Sequence, residues 1–80
     1  MKKRNIIGGN LKLLRLEKKL SQEQLASKLH LLGLNLDRSA ISRIESYSRE
    51  VYDYEVSYFA IALNVSIINF YKDINLQKKV

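Results

Sequence analysis

The chain has 80 residues, no cysteine and one histidine, and 14 Lys and Arg against 8 Asp and Glu give it a net charge of +6. This length favours one small domain, and the composition excludes disulfides, thiolate-bound metal and a histidine cluster for zinc. No apolar run reaches the ~18 residues of a membrane span or forms a signal-peptide core, so we expect a cytoplasmic protein that does not enter a membrane.

The surplus of positive charge lies in the first 20 residues of the chain. Seven basic residues stand there against Glu17, whereas residues 21–50 and 51–80 each carry equal numbers of basic and acidic groups. Such a concentrated positive field suits a polyanion such as nucleic acid. It also fits a solvated helix face that only aids solubility, so charge alone leaves both interpretations open.

Apolar spacing and capping signals predict five helices and no sheet. The predicted helices lie at about residues 8–19, 22–32, 38–46, 54–64 and 67–72. Ser21 and Gln24 form a capping box at the start of the second helix, and Asp37 can cap the third. We expect residues 1–72 to form one domain and residues 73–80 to form a short polar tail.

The predicted core follows from the same spacing. On the fourth helix, for example, apolar residues recur at i, i+3, i+4 and i+7, which places them on one face. The inward positions are Leu11 and Leu14 on the first helix, Leu25, Ala26, Leu29 and Leu32 on the second, Ile41 and Ile44 on the third, and Val56, Phe59, Ala60 and Leu63 on the fourth. The fold class is therefore all-α, with these faces packed against one another.

The third helix, in the sequence DRSAISRIES, has two different faces. Its apolar side is short, and the opposite side carries small hydroxyls and a long arginine at helical spacing. This opposite side consists of Ser39, Ser42, Arg43 and Ser46. Small side chains allow close approach to another surface, and Arg43, with Arg38 in the first turn, suits guanine edges or phosphate. The same residues would also suit an exposed helix that they only solvate.

Three motifs along the chain resemble those of one family of DNA-binding proteins. Residues 20–26 read LSQEQLA, residues 41–45 read ISRIE and residues 63–66 read LNVS. Their order and spacing resemble the Cro/C1-type (XRE-like) helix-turn-helix family, whose pattern runs roughly LSQEELA, ISRIE and LGVS. The likeness covers about residues 7–71. It implies a compact bundle of five helices in which the third helix lies in the major groove of double-stranded DNA.

The resemblance also implies a set of DNA contacts. The residues placed against base edges are Arg38, Ser39, Ser42 and Arg43. The residues placed at phosphates are Ser21, Gln22, Tyr47, Arg49 and Tyr52. Contacts to the backbone position a protein on DNA, whereas contacts to base edges select the sequence. In related phage repressors the residues that match Arg15 and Glu45 form an internal ion pair, so we assign this pair to the scaffold rather than to DNA.

Two features depart from the family pattern. The turn between the second and third helices, residues 30–36, is longer than usual, and we expect Leu34 and Leu36 to turn back into the core. The longer turn bears on how the third helix enters the groove rather than on the fold. Tyr47 stands where the family often has glycine, which indicates either a different exit from the third helix or a tyrosine with a role near the backbone.

An apolar stripe remains on the outer side of the fourth helix and on the segment after it. It consists of Tyr54, Tyr58, Ile61, Phe70 and Tyr71. The stripe is either an ordinary core edge with exposed aromatic residues or a patch for self-association, because exposed contiguous apolar area often marks an interface. A homodimer would match a palindromic DNA site.

No catalytic arrangement is apparent in the sequence. There is no cysteine nucleophile, the single histidine, His30, lies in a leucine-rich helix, and the Gly8-Gly9 pair lacks the spacing of a phosphate loop. We therefore expect no enzyme, cofactor, metal or small-molecule effector. The sequence predicts a stand-alone DNA-binding regulator, a repressor. The alternative is a protein-interaction module on the same fold, such as an antitoxin or an anti-regulator partner.

Overall fold

The computed structural model describes residues 2–74, so most of the predicted tail lies outside the described residues. A 3₁₀ helix at Ile67–Tyr71 follows four α-helices, which are α1 (Gly8–Glu17), α2 (Gln22–Leu32), α3 (Arg38–Glu45) and α4 (Asp53–Leu63). The all-α class is confirmed for this range, which contains no strand. The fifth predicted helix is a 3₁₀ helix rather than an α-helix. Within the described residues, no helix combines the length and the apolar character that crossing a bilayer needs.

Local capping starts α2 and α3 where the sequence predicts. Ser21 Oγ accepts from Gln24 N–H at 3.0 Å, and Gln24 Oε1 accepts from Ser21 N–H at 2.8 Å, which completes the capping box. At α3, Asp37 Oδ1 accepts from Ala40 N–H at 2.8 Å. These side chains satisfy backbone donors at the helix starts and thereby fix where both helices begin.

All four α-helices end in the same way, with a left-handed residue just after the helix. These residues are Lys19, Gly33, Tyr47 and Asn64. At each end the following residue donates its N–H to a carbonyl five residues earlier, as Ser48 does to Arg43 at 2.8 Å. Lysine and tyrosine adopt this conformation against a strain of roughly 1–2 kcal/mol. The exit from α3 is thus the usual one, so a different exit, one of the two alternatives for Tyr47, was wrong.

The predicted core is largely confirmed. The inward face of α4 is buried throughout, and Leu34 and Leu36 turn back into the core, with 8% and 9% of their surface exposed. Leu32 is an exception, because it ends α2 with 41% of its surface exposed. Gly33 follows with a φ of 101° and redirects the chain, so Leu34 takes the inward place instead.

α1 and α3 approach each other closely at Gly8. A Cβ added to Gly8 would overlap the backbone carbonyl oxygen of Ile44, near the end of α3. Glycine is needed here because the two backbones are in contact. The contact limits how far α3 can shift relative to the rest of the domain.

Phe70 belongs to the core, so its assignment to the outer apolar stripe was wrong. Its side chain is fully buried, and its ring centroid lies 6.3 Å from that of Phe59. The side-chain amide of Asn10 holds this segment against α1 by donating to Phe70 O at 2.9 Å and to Lys72 O at 2.8 Å. Because the segment is a 3₁₀ helix, an α-helical projection misplaces its faces.

Candidate nucleic-acid interface

The outer face of α3 is open to solvent along its length. The residues predicted to read bases are all exposed there, and they are Arg38, Ser39, Ser42 and Arg43. The opposite side holds the helix in the core, with Ile41 and Ile44 fully buried. The structure thus brings the four residues predicted to read bases onto one exposed side of a single helix.

The turn between α2 and α3 is a fixed part of the fold despite its length. Leu34 N–H donates to Leu29 O at 2.9 Å, and Leu36 N–H donates to Leu34 O at 3.2 Å. Both Leu34 and Leu36 are buried, which leaves Asn35 exposed between them. α2 and α3 therefore keep a defined relation, and the effect of the turn on groove entry stays a prediction.

Arg15 and Glu45 form a buried ion pair that joins α1 to α3. Arg15 Nε lies 2.7 Å from Glu45 Oε2, and Arg15 Nη2 lies 3.0 Å from Glu45 Oε1, so the contact has two points. Only 7% and 4% of the two side chains are exposed. Arg15 Nη1 also donates to Leu20 O at 2.7 Å. The pair lies on the inner side of α3 and belongs to the scaffold rather than to the exposed surface.

Gln22 connects this ion pair to the amino end of α2. Its Nε2 donates to Glu45 Oε1 at 3.0 Å, and its side chain is half-buried. Ser21 is exposed and uses its hydroxyl to cap the helix. The backbone N–H groups at a helix start suit a phosphate, although Glu23 in the first turn opposes a second negative charge there. The phosphate contacts of Ser21 and Gln22 stay predictions.

Arg49 is held by a buried carboxylate at the start of α4. Its Nη1 and Nη2 each lie 3.2 Å from an oxygen of Glu55, and Nη1 also donates to Glu50 O at 2.7 Å. Glu55 is 2% exposed, and its Oε1 accepts from Tyr52 N–H at 2.9 Å. A phosphate contact by Arg49 would require this pair to open. Its predicted role at DNA therefore has to compete with a role in the fold.

The two tyrosines predicted at phosphates have different surroundings. Tyr47 is half-buried with a φ of 65°, and its hydroxyl lies against Gly9 of α1. Lys3 Nζ lies 4.3 Å from the centroid of the Tyr47 ring, within the range of a cation–π contact. Tyr52 is exposed, and its ring stacks on that of Tyr54 with centroids 5.8 Å apart. Tyr52 is therefore contiguous with the apolar stripe of α4.

The rest of that stripe lies at the surface. Tyr54 and Ile61 are 54% and 64% exposed, and Tyr71 is 44% exposed. Tyr58 is half-buried at the edge of the core. Without Phe70, the stripe consists mainly of one side of α4, and its role in self-association stays a prediction.

The sequence reading missed Asn5, which fastens the start of the chain to the end of α3. Asn5 Nδ2 donates to Ile44 O at 3.0 Å and to Arg49 O at 2.8 Å. Its Oδ1 accepts from the N–H groups of Ile7 and Gly8 at 3.0 and 2.8 Å. The Oδ1 contacts reach only two and three residues along the chain, as in the local turns that asparagine favours, so they could have been predicted. The Nδ2 contacts reach residues far along the chain and leave no local signal.

The outer face of α3 can bind a partner through hydrogen bonds and through charge. The hydroxyl and guanidinium groups on the outer face of α3 can donate to acceptors such as base edges and phosphate oxygens. Among residues 2–74, no three side chains of His, Cys, Asp or Glu come together in a group that could hold a metal ion.

The arrangement of α2 and α3 is that of a helix-turn-helix. A helix-turn-helix family model matches residues 11–68, from α1 into the 3₁₀ helix. The chain belongs to the Cro/C1-type helix-turn-helix family. Membership in this family supports a DNA-binding transcription regulator.

One similar solved structure is that of a hypothetical transcription factor, NHTF, from Neisseria. The two chains share 28% sequence identity and superpose with a TM-score of 0.71, covering 86% of this chain and 74% of the other. No curated protein matches the chain. The likeness extends over most of both molecules, so the helix-turn-helix is not an isolated local match.

Proposed function

We propose that this protein is a sequence-specific repressor that binds double-stranded DNA by placing α3 in the major groove. The observation that carries the proposal is the contrast between the two sides of α3, whose apolar residues are buried while serine and arginine stay exposed. The exposed side contributes little to the core, so it is available to a partner. Family membership supports DNA as this partner, and the neighbour from Neisseria is described as a hypothetical transcription factor. This function agrees with the expected cytoplasmic localisation.

In this proposal the contacts divide into base reading and positioning. Arg38 and Arg43 read guanine edges, for which a bidentate arginine contact discriminates by about 1–3 kcal/mol. The small hydroxyls of Ser39 and Ser42 let the helix approach the base edges closely. Ser21 and its neighbours at the amino end of α2 approach a phosphate and set the position of α3 along the groove.

Repression results where the occupied site overlaps a promoter, and a homodimer would bind two half-sites about one helical turn apart. The exposed side of α4 supports the homodimer, because Tyr54 and Ile61 leave apolar area in water that association would bury. A two-fold axis would then match a palindromic operator.

Random-site selection with the purified full chain tests sequence-specific binding, and fluorescence anisotropy then measures affinity for the selected site. Arg43→Ala should weaken binding to this site by about 1–3 kcal/mol and change binding to random DNA little. Lys28→Ala is the matched control, because it removes one exposed positive charge from α2 instead of α3. Equal losses on selected and random DNA would mean that Arg43 does not read bases. Failure to enrich any sequence would contradict the proposal as a whole.

The alternative function is a protein-interaction module such as an antitoxin or an anti-regulator partner. The exposed apolar side of α4 favours this alternative. Arg49 also favours it, because its guanidinium pairs with Glu55 instead of pointing into solvent, where a DNA phosphate would bind. A tight hetero-complex in size-exclusion chromatography with light scattering, together with no enriched DNA sequence, would support this alternative.

A further inference from the structure

We infer that Lys2 and Lys3 bind DNA phosphate beside the carboxyl end of α3. They supply the positive charge that the turn after α3 does not offer to a phosphate. The N-terminal segment, residues 2–5, is then a fixed part of the DNA-binding surface rather than a loose basic tail. This inference rests on the proposed function and names phosphate-binding residues for the same site.

The turn after α3, residues 46–50, has no basic side chain outside an ion pair. Arg49 is its only basic residue, and both terminal nitrogens of its guanidinium contact Glu55. Glu50 adds a negative charge to the same turn and is exposed. Taken alone, this turn would repel a phosphate that approaches the end of the outer face of α3.

The N-terminal segment is fastened by three contacts to this turn and by one to the end of α3. Arg4 N–H donates to Tyr47 O at 2.9 Å, and the Arg4 guanidinium lies 3.0 Å from Glu50 Oε2. Asn5 Nδ2 donates to the carbonyl oxygens of Ile44 and Arg49. Backbone and side-chain contacts together therefore fix the position of the N-terminal segment.

These contacts change the charge of the surface beside α3. Arg4 neutralises Glu50, which leaves the two lysines as a net positive charge. One depression of the surface is lined by Lys2, Lys3, Arg4 and Glu50. Lys3 Nζ stays over the Tyr47 ring, and both lysine side chains are exposed. An exposed ammonium on a flexible side chain suits a phosphate, because it contacts the oxygens as a point charge from several directions.

A purely structural role for the lysines predicts a different result. The carboxyl end of α3 carries a partial negative charge, so cations nearby would stabilise the helix without DNA. In that case their removal would lower thermal stability and leave the salt dependence of DNA binding unchanged. The two roles can therefore be separated by measurements on the same variants.

The test compares two double variants that each remove two positive charges. Lys2→Ala with Lys3→Ala removes the charges beside α3, and Lys28→Ala with Lys72→Ala removes two exposed charges elsewhere. Affinity for the selected DNA site is measured by anisotropy at several salt concentrations. Two lost phosphate contacts should reduce the slope of log affinity against log salt by about 1.8 units in the first variant, and by much less in the control.

Lysine acetylation followed by mass spectrometry gives a second readout on the unmodified full chain. Bound DNA should protect Lys2 and Lys3 from acetylation and leave Lys28 reactive. An unchanged slope in the first variant, or an equal change in both variants, would overturn the inference while DNA binding by the wild-type chain stands. If the wild-type chain binds no DNA, the proposed function fails and the inference fails with it. DNA binding by the wild-type chain therefore distinguishes failure of the inference alone from failure of the proposed function.

Discussion

α3 and α4 pack against the same small core but expose side chains of different chemistry to solvent. Each buries an apolar face and one glutamate, Glu45 on α3 and Glu55 on α4. On its outer side α3 exposes serine and arginine, whereas α4 exposes Tyr54 and Ile61. The inner faces are thus alike, and the difference between the helices lies in what each offers to a partner.

The difference indicates two kinds of partner. A face of hydroxyl and guanidinium groups remains well hydrated in water and can exchange that water for base edges and phosphates. Covering an exposed apolar face with another surface lowers the free energy by about 25 cal/mol for each Å² of apolar area removed from water. A helix that is apolar on all sides is typical of a buried helix. We therefore expect α3 to bind nucleic acid and α4 to bind protein.

The largest expected effects concern the two buried glutamates. Glu45→Ala should lower the free energy of unfolding by about 3–5 kcal/mol, because it leaves the buried Arg15 without its partner. Glu55→Ala should have a smaller effect, about 1–3 kcal/mol, because Arg49 is 24% exposed and can turn toward water. Urea denaturation followed by circular dichroism measures both changes.

Glu50→Ala is the control for both variants. Its partner is Arg4, and the two side chains are 62% and 58% exposed, so this ion pair should contribute only about 0–1 kcal/mol. A loss for Glu45→Ala as small as that for Glu50→Ala would mean that the inner side of α3 is not held by its ion pair. The likeness between the two inner faces would then no longer stand.

An effect smaller than that of Glu45→Ala is expected at the close contact between Gly8 of α1 and the end of α3. Gly8→Ala places a methyl group against the backbone carbonyl of Ile44, so α3 must shift, and overpacking of this kind costs about 1–3 kcal/mol. At Gly9 the added methyl group meets only the hydroxyl end of the Tyr47 side chain, which can move. Thermal denaturation of Gly8→Ala and Gly9→Ala should therefore show the lower midpoint for Gly8→Ala. The opposite order would contradict the close contact between these helices.

The features that the sequence predicts are mainly local. Capping at Ser21 and Asp37 depends on residues within one helical turn, so it could be read directly. The core face of α4 follows from its periodicity. The pair of Arg15 and Glu45 is not local, and it was assigned because the chain resembles a family that contains it.

The features that the sequence does not predict depend on contacts between distant residues. Asn5 binds carbonyls of Ile44 and Arg49, and no spacing rule connects these positions. Arg49 was assigned to phosphate because the family resemblance implies it, but Glu55 lies close enough to bind it only once the turn is formed. Phe70 was placed on the outer stripe because one short helix was not expected to bury all the apolar residues of its segment, but the fold buries it against Phe59.

The smallest expected effect tests the outer side of α4. Ile61→Ser should change the free energy of unfolding of the monomer by less than about 0.5 kcal/mol, because Ile61 is 64% exposed. If α4 binds a second copy of the chain, the same substitution lowers the dimer fraction that light scattering measures over a range of concentrations. Leu31→Ser is the matched control, since Leu31 is 86% exposed on α2, outside the stripe. A dimer fraction that both substitutions leave unchanged would show that the outer side of α4 does not mediate self-association, and only the contrast in surface chemistry between α3 and α4 would then remain.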